Sequence, residues 1–406
     1  MRLSAFHVLM VTLFASTASA GILEMIPEAR KLPAPDWVRA GGRITYYVAV
    51  GTGTAKTLVR DPDGEWKLKD EPGTFGIQEA SNAGSGHGYL EVQITAADPR
   101  QVALQLRYFV LMDERTNGPP KPAGETGLLS LPGESDYWVH PKALQALLRR
   151  AARKDKGLLV GRMEYGLDGK QVKAIAVKIG KTSYIYDEAS GVLLQSIASA
   201  ATTAKDWYIM PNGEKLQGHA STTYMIRFRG FRRVSLPWAA GPMPAWLTNA
   251  HTMVYAGETV LQAAEGLPPP RLPVTTKIEF LEHGAAWVRY RATQETGANS
   301  GVPQLPSRYE RVSGPGQLGG LWIAPAELAK LKAGQVLDGK DKWTQMTARV
   351  AQVGPVGDTP AVVIAEEGPM GRLEYVYDRR RGALIQARMV DSSFHTTTTL
   401  RLQSIR

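Results

Sequence analysis

Several stretches of the chain alternate apolar and polar residues with a period of two. Val102, Leu104, Leu106 and Tyr108 alternate with Ala103, Gln105 and Arg107. Tyr224, Ile226 and Phe228 alternate with Met225, Arg227 and Arg229, and Leu400 and Leu402 with Arg401 and Gln403. Successive side chains of a strand point to opposite faces, so each stretch predicts a strand with one apolar and one more polar face. A sheet wet on one face is usually antiparallel. Asp187 to Gly191 and Asp378 to Gly382 read as hairpin turns. Asp bonds to nearby backbone amides there, and Gly accepts a positive φ.

The helical period appears twice. Pro141 to Arg153 carries Leu144, Leu147 and Leu148 on one face, with Pro141 in its first turn. Pro325 to Lys332 carries Leu328 and Leu331 in the same manner.

These elements recur in order. Trp138, Pro141 and Leu144 match Trp322, Pro325 and Leu328. Tyr184, Tyr186, Asp187 and Gly191 match Tyr375, Tyr377, Asp378 and Gly382. Leu90 to Tyr108 resembles Ile278 to Tyr290, and Thr222 to Arg227 resembles Thr398 to Arg401. Such self-similarity is the signature of a duplicated unit. The sequence therefore predicts a mostly β protein of two tandem duplicated domains, each a curved antiparallel sheet with one short covering helix. Residues 21–236 form the first repeat, the Pro/Gly-rich 237–246 the linker, and 247–406 the second repeat.

The first residues change the setting. Arg2, the apolar run Phe6 to Phe14 and the small residues Ala18-Ser19-Ala20 read as a signal peptide over 1–20, cleaved before Gly21. The expected location is periplasmic or secreted. The chain has no cysteine, which excludes disulfides, thiol catalysis and Cys-ligated metal. Its formal net charge of +10 favours anionic neighbours such as membrane surfaces, glycans or acidic envelope proteins. Peripheral membrane contact fits that balance, and an exported location argues against nucleic acid as a partner.

The search for chemistry yields little. Gly314 to Gly319 satisfies a dinucleotide fingerprint but lacks the strand and helix that aim it, so it reads as a loop. Gly84 to Gly88 reads as a hairpin loop. His87, His140, His219, His251, His283 and His395 form no pair at metal-ligand spacing, and no cofactor or metal site is predicted. The carboxylate pairs Asp113-Glu114, Glu134 with Asp136, and Glu366-Glu367 read as turn or solvent residues.

Three basic clusters stand out: Arg149-Arg150 with Arg153, Lys154 and Lys156; Arg227, Arg229, Arg232 and Arg233; and Arg379-Arg380-Arg381. Arg227, Arg229, Arg379, Arg380 and Arg381 are the candidates for an anion-facing surface. The repeated aromatics Trp138, Trp322, Tyr184, Tyr186, Tyr375 and Tyr377 are candidates for ligand contact, with core packing as the plainer role. Together these features point to an exported, non-enzymatic binding or scaffold protein of the envelope. The alternative is an exported hydrolase with acidic or His residues converging between the repeats, near the 237–246 junction.

Overall fold

The computed structural model describes residues 26–52, 56–60, 66–68, 86–111, 120–151, 158–209, 215–262, 268–297, 307–369, 371–392 and 395–406. The expected signal peptide lies outside the described residues. So do Gly84, Ser85, Asp113, Glu114, Arg153, Lys154 and Lys156.

The first repeat opens with β1 (Gly42–Thr52), the small hairpin β2 (Lys56–Arg60) and β3 (Trp66–Leu68), then β4 (Gly86–Ala97), β5 (Val102–Val110) and β6 (Lys121–Ser130). Two short strands, β7 (Glu134–Ser135) and β8 (Trp138–Val139), lead into helix α1 (Pro141–Ala151). Then follow β9 (Leu158–Leu167), β10 (Lys170–Ile179), β11 (Thr182–Asp187), β12 (Leu193–Ile209) and β13 (Lys215–Arg233).

The second repeat runs through α2 (Ala245–Thr248), β14 (Thr252–Val260), β15 (Arg271–His283), β16 (Val288–Thr296), β17 (Ser307–Ser313) and α3 (Pro325–Leu328). It ends with β18 (Val336–Asp338), β19 (Thr347–Val356), β20 (Thr359–Gly368), β21 (Gly371–Asp378), β22 (Leu384–Asp391) and β23 (Thr396–Ile405).

Duplication is written into the topology. The path through the first sheet is β6-β5-β4-β1-β13-β12-β11-β10-β9. The second sheet runs β17-β16-β15-β14-β23-β22-β21-β20-β19, with β18 added at its edge. Each is an antiparallel meander of four strands, a crossover carrying a helix, and a meander of five whose last strand closes beside the first. Even the irregularities correspond. The β1/β13 register slips between Thr45 and Tyr46, and the β14/β23 register between Val254 and Tyr255. The β11/β12 register slips at Ile185/Tyr186, and β21/β22 at Val376/Tyr377. Bulges bend a strand and increase its twist, so matched bulges curve the two sheets alike.

The repeated Trp and Gly positions form one joint, built twice. Trp138 bridges to Val192 and Trp322 to Ala383. Gly191 and Gly382 have φ of +74° and +73°, and a Cβ on either would run into the carbonyl of Val139 or Ile323. Both turns therefore require glycine, for conformation and for space. The Trp–helix segment is thus stapled to the hairpin of the Tyr-x-Tyr strand in each copy.

Helix α1 buries Ala143, Leu144 and Leu147 against the first sheet, as its leucine spacing predicts. Helix α3 is shorter than predicted and ends at Leu328. Beyond it the chain turns more tightly, with Lys330 N donating to Glu327 O and Leu331 N to Leu328 O. Leu331 is still buried.

Two local expectations change. Gly86, His87 and Gly88 belong to β4 rather than to a loop. Gly88 is needed because the Phe109 carbonyl of β5 occupies the place of its Cβ. The 237–246 segment is irregular, as its Pro and Gly require, but it is packed into the protein. Trp238 is 1% exposed and shares a core with Val234, Leu236, Leu318 and Leu328.

Candidate functional site

The alternation of β4 and β5 puts Leu90, Val92, Ile94, Leu104 and Leu106 into the first core. The opposite face carries Glu91, Gln93, Thr95, Gln105 and Arg107, and all five are buried as well. That polar face is therefore shielded from bulk solvent, because the second repeat covers it.

Glycines let the two backbones approach. A Cβ on Gly127 of β6 would meet Arg311 and Val312 of β17, and a Cβ on Gly314 or Gly316 would meet Thr95 or Ile94 of β4. The Gly314–Gly319 segment is indeed a loop, and Gly316 N donates to Thr95 O across the interface. Ala96, Ala103, Trp287 and Val312 form a small apolar cluster beside it.

A charged seam fills the rest of this interface. Glu91 lies at its centre, 1% exposed. Its oxygens are 2.6 Å from Arg232 Nη2, 3.4 Å from Arg43 Nη1 and 3.8 Å from Arg107 Nη1. Gln93 donates to it at 2.7 Å. From the second repeat, Asp338 of β18 faces Arg43 at 3.3 Å and Arg232 at 3.1 Å, and Asp341 faces Arg232 at 2.9 Å. Arg107 reaches Glu366 of β20 at 2.9 Å and Glu125 of β6 at 3.2 Å. Arg311 closes the chain on Glu125 at 3.1 Å.

Burial alone would raise the Glu91 pKa, but Arg43, Arg232 and Arg107 hold it well below the usual carboxylate range. Burial opposes the charge on Arg107 too, yet Glu366, Glu125 and Glu91 hold its pKa above the ordinary arginine value. Every carboxylate in the seam faces an arginine, and Glu91 stays ionised. An ionised, saturated carboxylate is a poor proton donor, so the arrangement is suited to holding two sheets together.

Glu366 and Arg232 are therefore not solvent residues. The alternation in β20 turns Glu366 to the same face as Val362 and Ile364, where Arg107 meets it. Arg43, Glu91, Arg107, Asp338 and Asp341 carry no motif. Arg43, Glu91 and Arg107 show only as charges within strand-like runs, and Asp338 and Asp341 stand at the end of β18 and in the polar loop after it.

Glu134, expected in a turn or facing solvent, is instead 1% exposed. It lies in β7, away from the seam, with Arg30 at 3.7 Å and no hydrogen bond to either oxygen. Burial raises its pKa to about 7, against the opposing charge of Arg30. The folded state thus holds this proton more tightly than the unfolded chain does. The resulting stability is complete below the ordinary value of 4.5 and is lost as the pH rises through about 7. Thermal melts of Glu134→Gln are expected to lose that part of the pH slope, and an unchanged slope would refute the assignment.

The candidate aromatics are packing residues by position. Trp138, Trp322, Tyr184, Tyr186 and Tyr377 are buried, and Tyr375 is half-buried. Trp138 Nε1 donates to Pro132 O at 2.9 Å, Tyr377 to Gly320 O at 2.8 Å, and Tyr375 to Glu366 at 3.2 Å. Tyr184 and Tyr186 stack with centroids 6.3 Å apart. None of them lines the groove around Val376 and Ile385 or the surface depression around Lys277 and Arg308.

The candidate arginines divide. Arg229 lies over the rings of Tyr47 and Trp343, at 5.1 and 5.3 Å. Arg227, on the same strand, is half-buried. Arg379 is half-buried, and its amide donates to Pro360 O. Arg380 and Arg381 are exposed and line a groove of about 790 Å³ on the outer face of the second sheet. Arg401 of β23 joins them, and Val356, Val376 and Ile385 supply apolar lining.

Among the described residues, no group of three or more His, Asp or Glu is placed to hold a metal ion. The fold and these sites define a tandem β protein whose two equivalent sheets are locked by buried charge. No protein-family model matches the chain, and no curated protein matches it in sequence.

Proposed function

We propose that the protein is an exported envelope protein that works by binding, presenting two locked β repeats to an anionic or amphiphilic partner: a lipid, a glycan or an envelope protein. The observation that carries this reading is the seam. The most elaborate polar centre among the described residues is committed to structure, with Glu91 shared among Arg43, Arg107 and Arg232. What remains for a partner is the outer surface, where Arg380, Arg381 and Arg401 have no carboxylate within ion-pair distance among the described residues. The signal-like N-terminal sequence and the net charge of +10 support an envelope location and an anionic partner.

The alternative, a hydrolase with its site between the repeats, needs a carboxyl able to donate a proton in an open cleft. Acidic residues do converge between the repeats, but they are buried against arginines. Among the described residues, the carboxyl raised to about 7, Glu134, is buried elsewhere. The test is native mass spectrometry of the mature protein purified gently from its own envelope fraction. A retained lipid or glycan, or a co-purifying envelope protein, is the expected result. An apo protein that turns over ester, glycoside or peptide substrates would overturn the reading.

A further inference from the structure

We propose that the groove on the outer face of the second sheet binds one anionic amphiphile, with its apolar chain on Val356, Val376 and Ile385 and its acidic head held by Arg380, Arg381 and Arg401. This deepens the binding reading above and rests on it.

Three observations carry the assignment. First, the floor is apolar where an outer strand face is ordinarily polar. Val376 is only 3% exposed although its neighbours Tyr375 and Tyr377 face the opposite side of the sheet. It packs with Ala361 and Val363, and Ala351, Val356 and Ile385 complete this second, smaller cluster. The half-buried Val356 and Ile385 are the open part of this apolar surface, with Val376, Ala361 and Val363 buried beneath them.

Second, the charges at the rim are unspent. Elsewhere on the second repeat, Arg271, Arg289, Arg291, Arg349, Arg372 and Arg388 each lie within ion-pair distance of a glutamate. Among the described residues Arg380, Arg381 and Arg401 make no ion pair, and the Arg401 guanidinium donates only to the neutral Gln386, at 3.0 Å. Of the two acidic residues in the lining, Asp378 already accepts from the Arg380 amide at 2.8 Å and so is tied into the turn. Asp358 stands on the β19–β20 turn.

Third, the turn that presents two of the arginines is fixed. Gly382 holds its αL conformation against the Ile323 carbonyl, and Trp246 Nε1 donates to Arg381 O at 2.8 Å. Guanidinium forks recognise carboxylate and phosphate oxygens in pairs, and they are less strongly hydrated than ammonium groups. A groove of about 790 Å³ accommodates a single ligand of that kind.

The probe is dodecyl phosphate, titrated below its micelle concentration into the mature full chain by calorimetry. Dodecanoate, dodecanol and inorganic phosphate run beside it. One-to-one binding of dodecyl phosphate is expected, and dodecanoate reports whether a carboxylate head serves equally. Both dodecanol and inorganic phosphate should bind at least about tenfold more weakly. The exposed substitutions Arg380→Glu, Arg381→Glu and Arg401→Glu leave the core untouched, and together they should weaken binding by about a hundredfold or more. Unchanged affinity in that triple variant would overturn the site. So would inorganic phosphate binding as tightly as dodecyl phosphate, because the apolar floor would then contribute nothing. A ligand retained in native mass spectrometry and still bound by the triple variant would refute this groove while leaving the binding function standing.

Discussion

Glu91→Ala is expected to destabilise the protein by about 3–5 kcal/mol, the range for removing one partner from a buried ion pair. The loss is large because Glu91 serves three guanidiniums. Arg43, 1% exposed, would keep only Asp338 as an ion partner, and two of its nitrogens already lack a hydrogen bond. Arg232 and Arg107 keep other carboxylates, so the effect should concentrate at Arg43. The companion variant follows from the same physics. Replacing both Arg43 and Glu91 by apolar residues of similar volume (Arg43→Met with Glu91→Leu) removes the uncompensated charge and should recover much of the loss. Urea unfolding of the three proteins measures this. A Glu91→Ala loss below about 1 kcal/mol, the range of a solvated surface pair, would mean the seam is wet.

The second large effect concerns the repeated tryptophans. Trp138→Ala and Trp322→Ala should each cost about 3–5 kcal/mol, because each ring is almost wholly buried where the helix segment meets the sheet. Phenylalanine separates them. Trp138 Nε1 donates to Pro132 O at 2.9 Å, whereas Trp322 makes no side-chain hydrogen bond among the described residues. Trp138→Phe should therefore cost about 1 kcal/mol more than Trp322→Phe. Equal costs in denaturant unfolding would contradict that difference.

Much of the fold was legible because duplication repeats its punctuation. Trp, Pro and Leu at the helix, and Tyr-x-Tyr, Asp and Gly at the hairpin, are positions where local geometry admits few residues. Gly191 and Gly382 show this most plainly, since both need a positive φ and room for a carbonyl. Alternation likewise gave the correct apolar faces of β5 and β23.

The seam was not legible, and the reason is physical. A polar strand face looks the same in sequence whether water or a second domain covers it. Arg107 and Glu366 are 259 residues apart, and Arg43 and Asp338 are 295 apart, so no local period links them. The neighbouring pair Glu366-Glu367 read as solvent residues, yet a strand sends neighbours to opposite faces, and only Glu366 is buried. The glycines of the 314–319 loop were visible as a loop, but their reason, the close approach of β4, lies in the other repeat. At the groove the sequence showed the Arg379-Arg380-Arg381 cluster. The turn leaves Arg380 and Arg381 on the groove, and Arg401 joins them only through the pairing of β22 with β23.

The most direct test of the locked architecture is scanning calorimetry of the protein, unaltered and as Glu91→Ala. Two repeats coupled by a buried charged seam should unfold in one transition whose calorimetric and van't Hoff enthalpies agree. The Glu91→Ala variant should melt lower, or split into two transitions as the repeats uncouple. Two resolved transitions in the unaltered protein, with neither displaced by Glu91→Ala, would contradict the account.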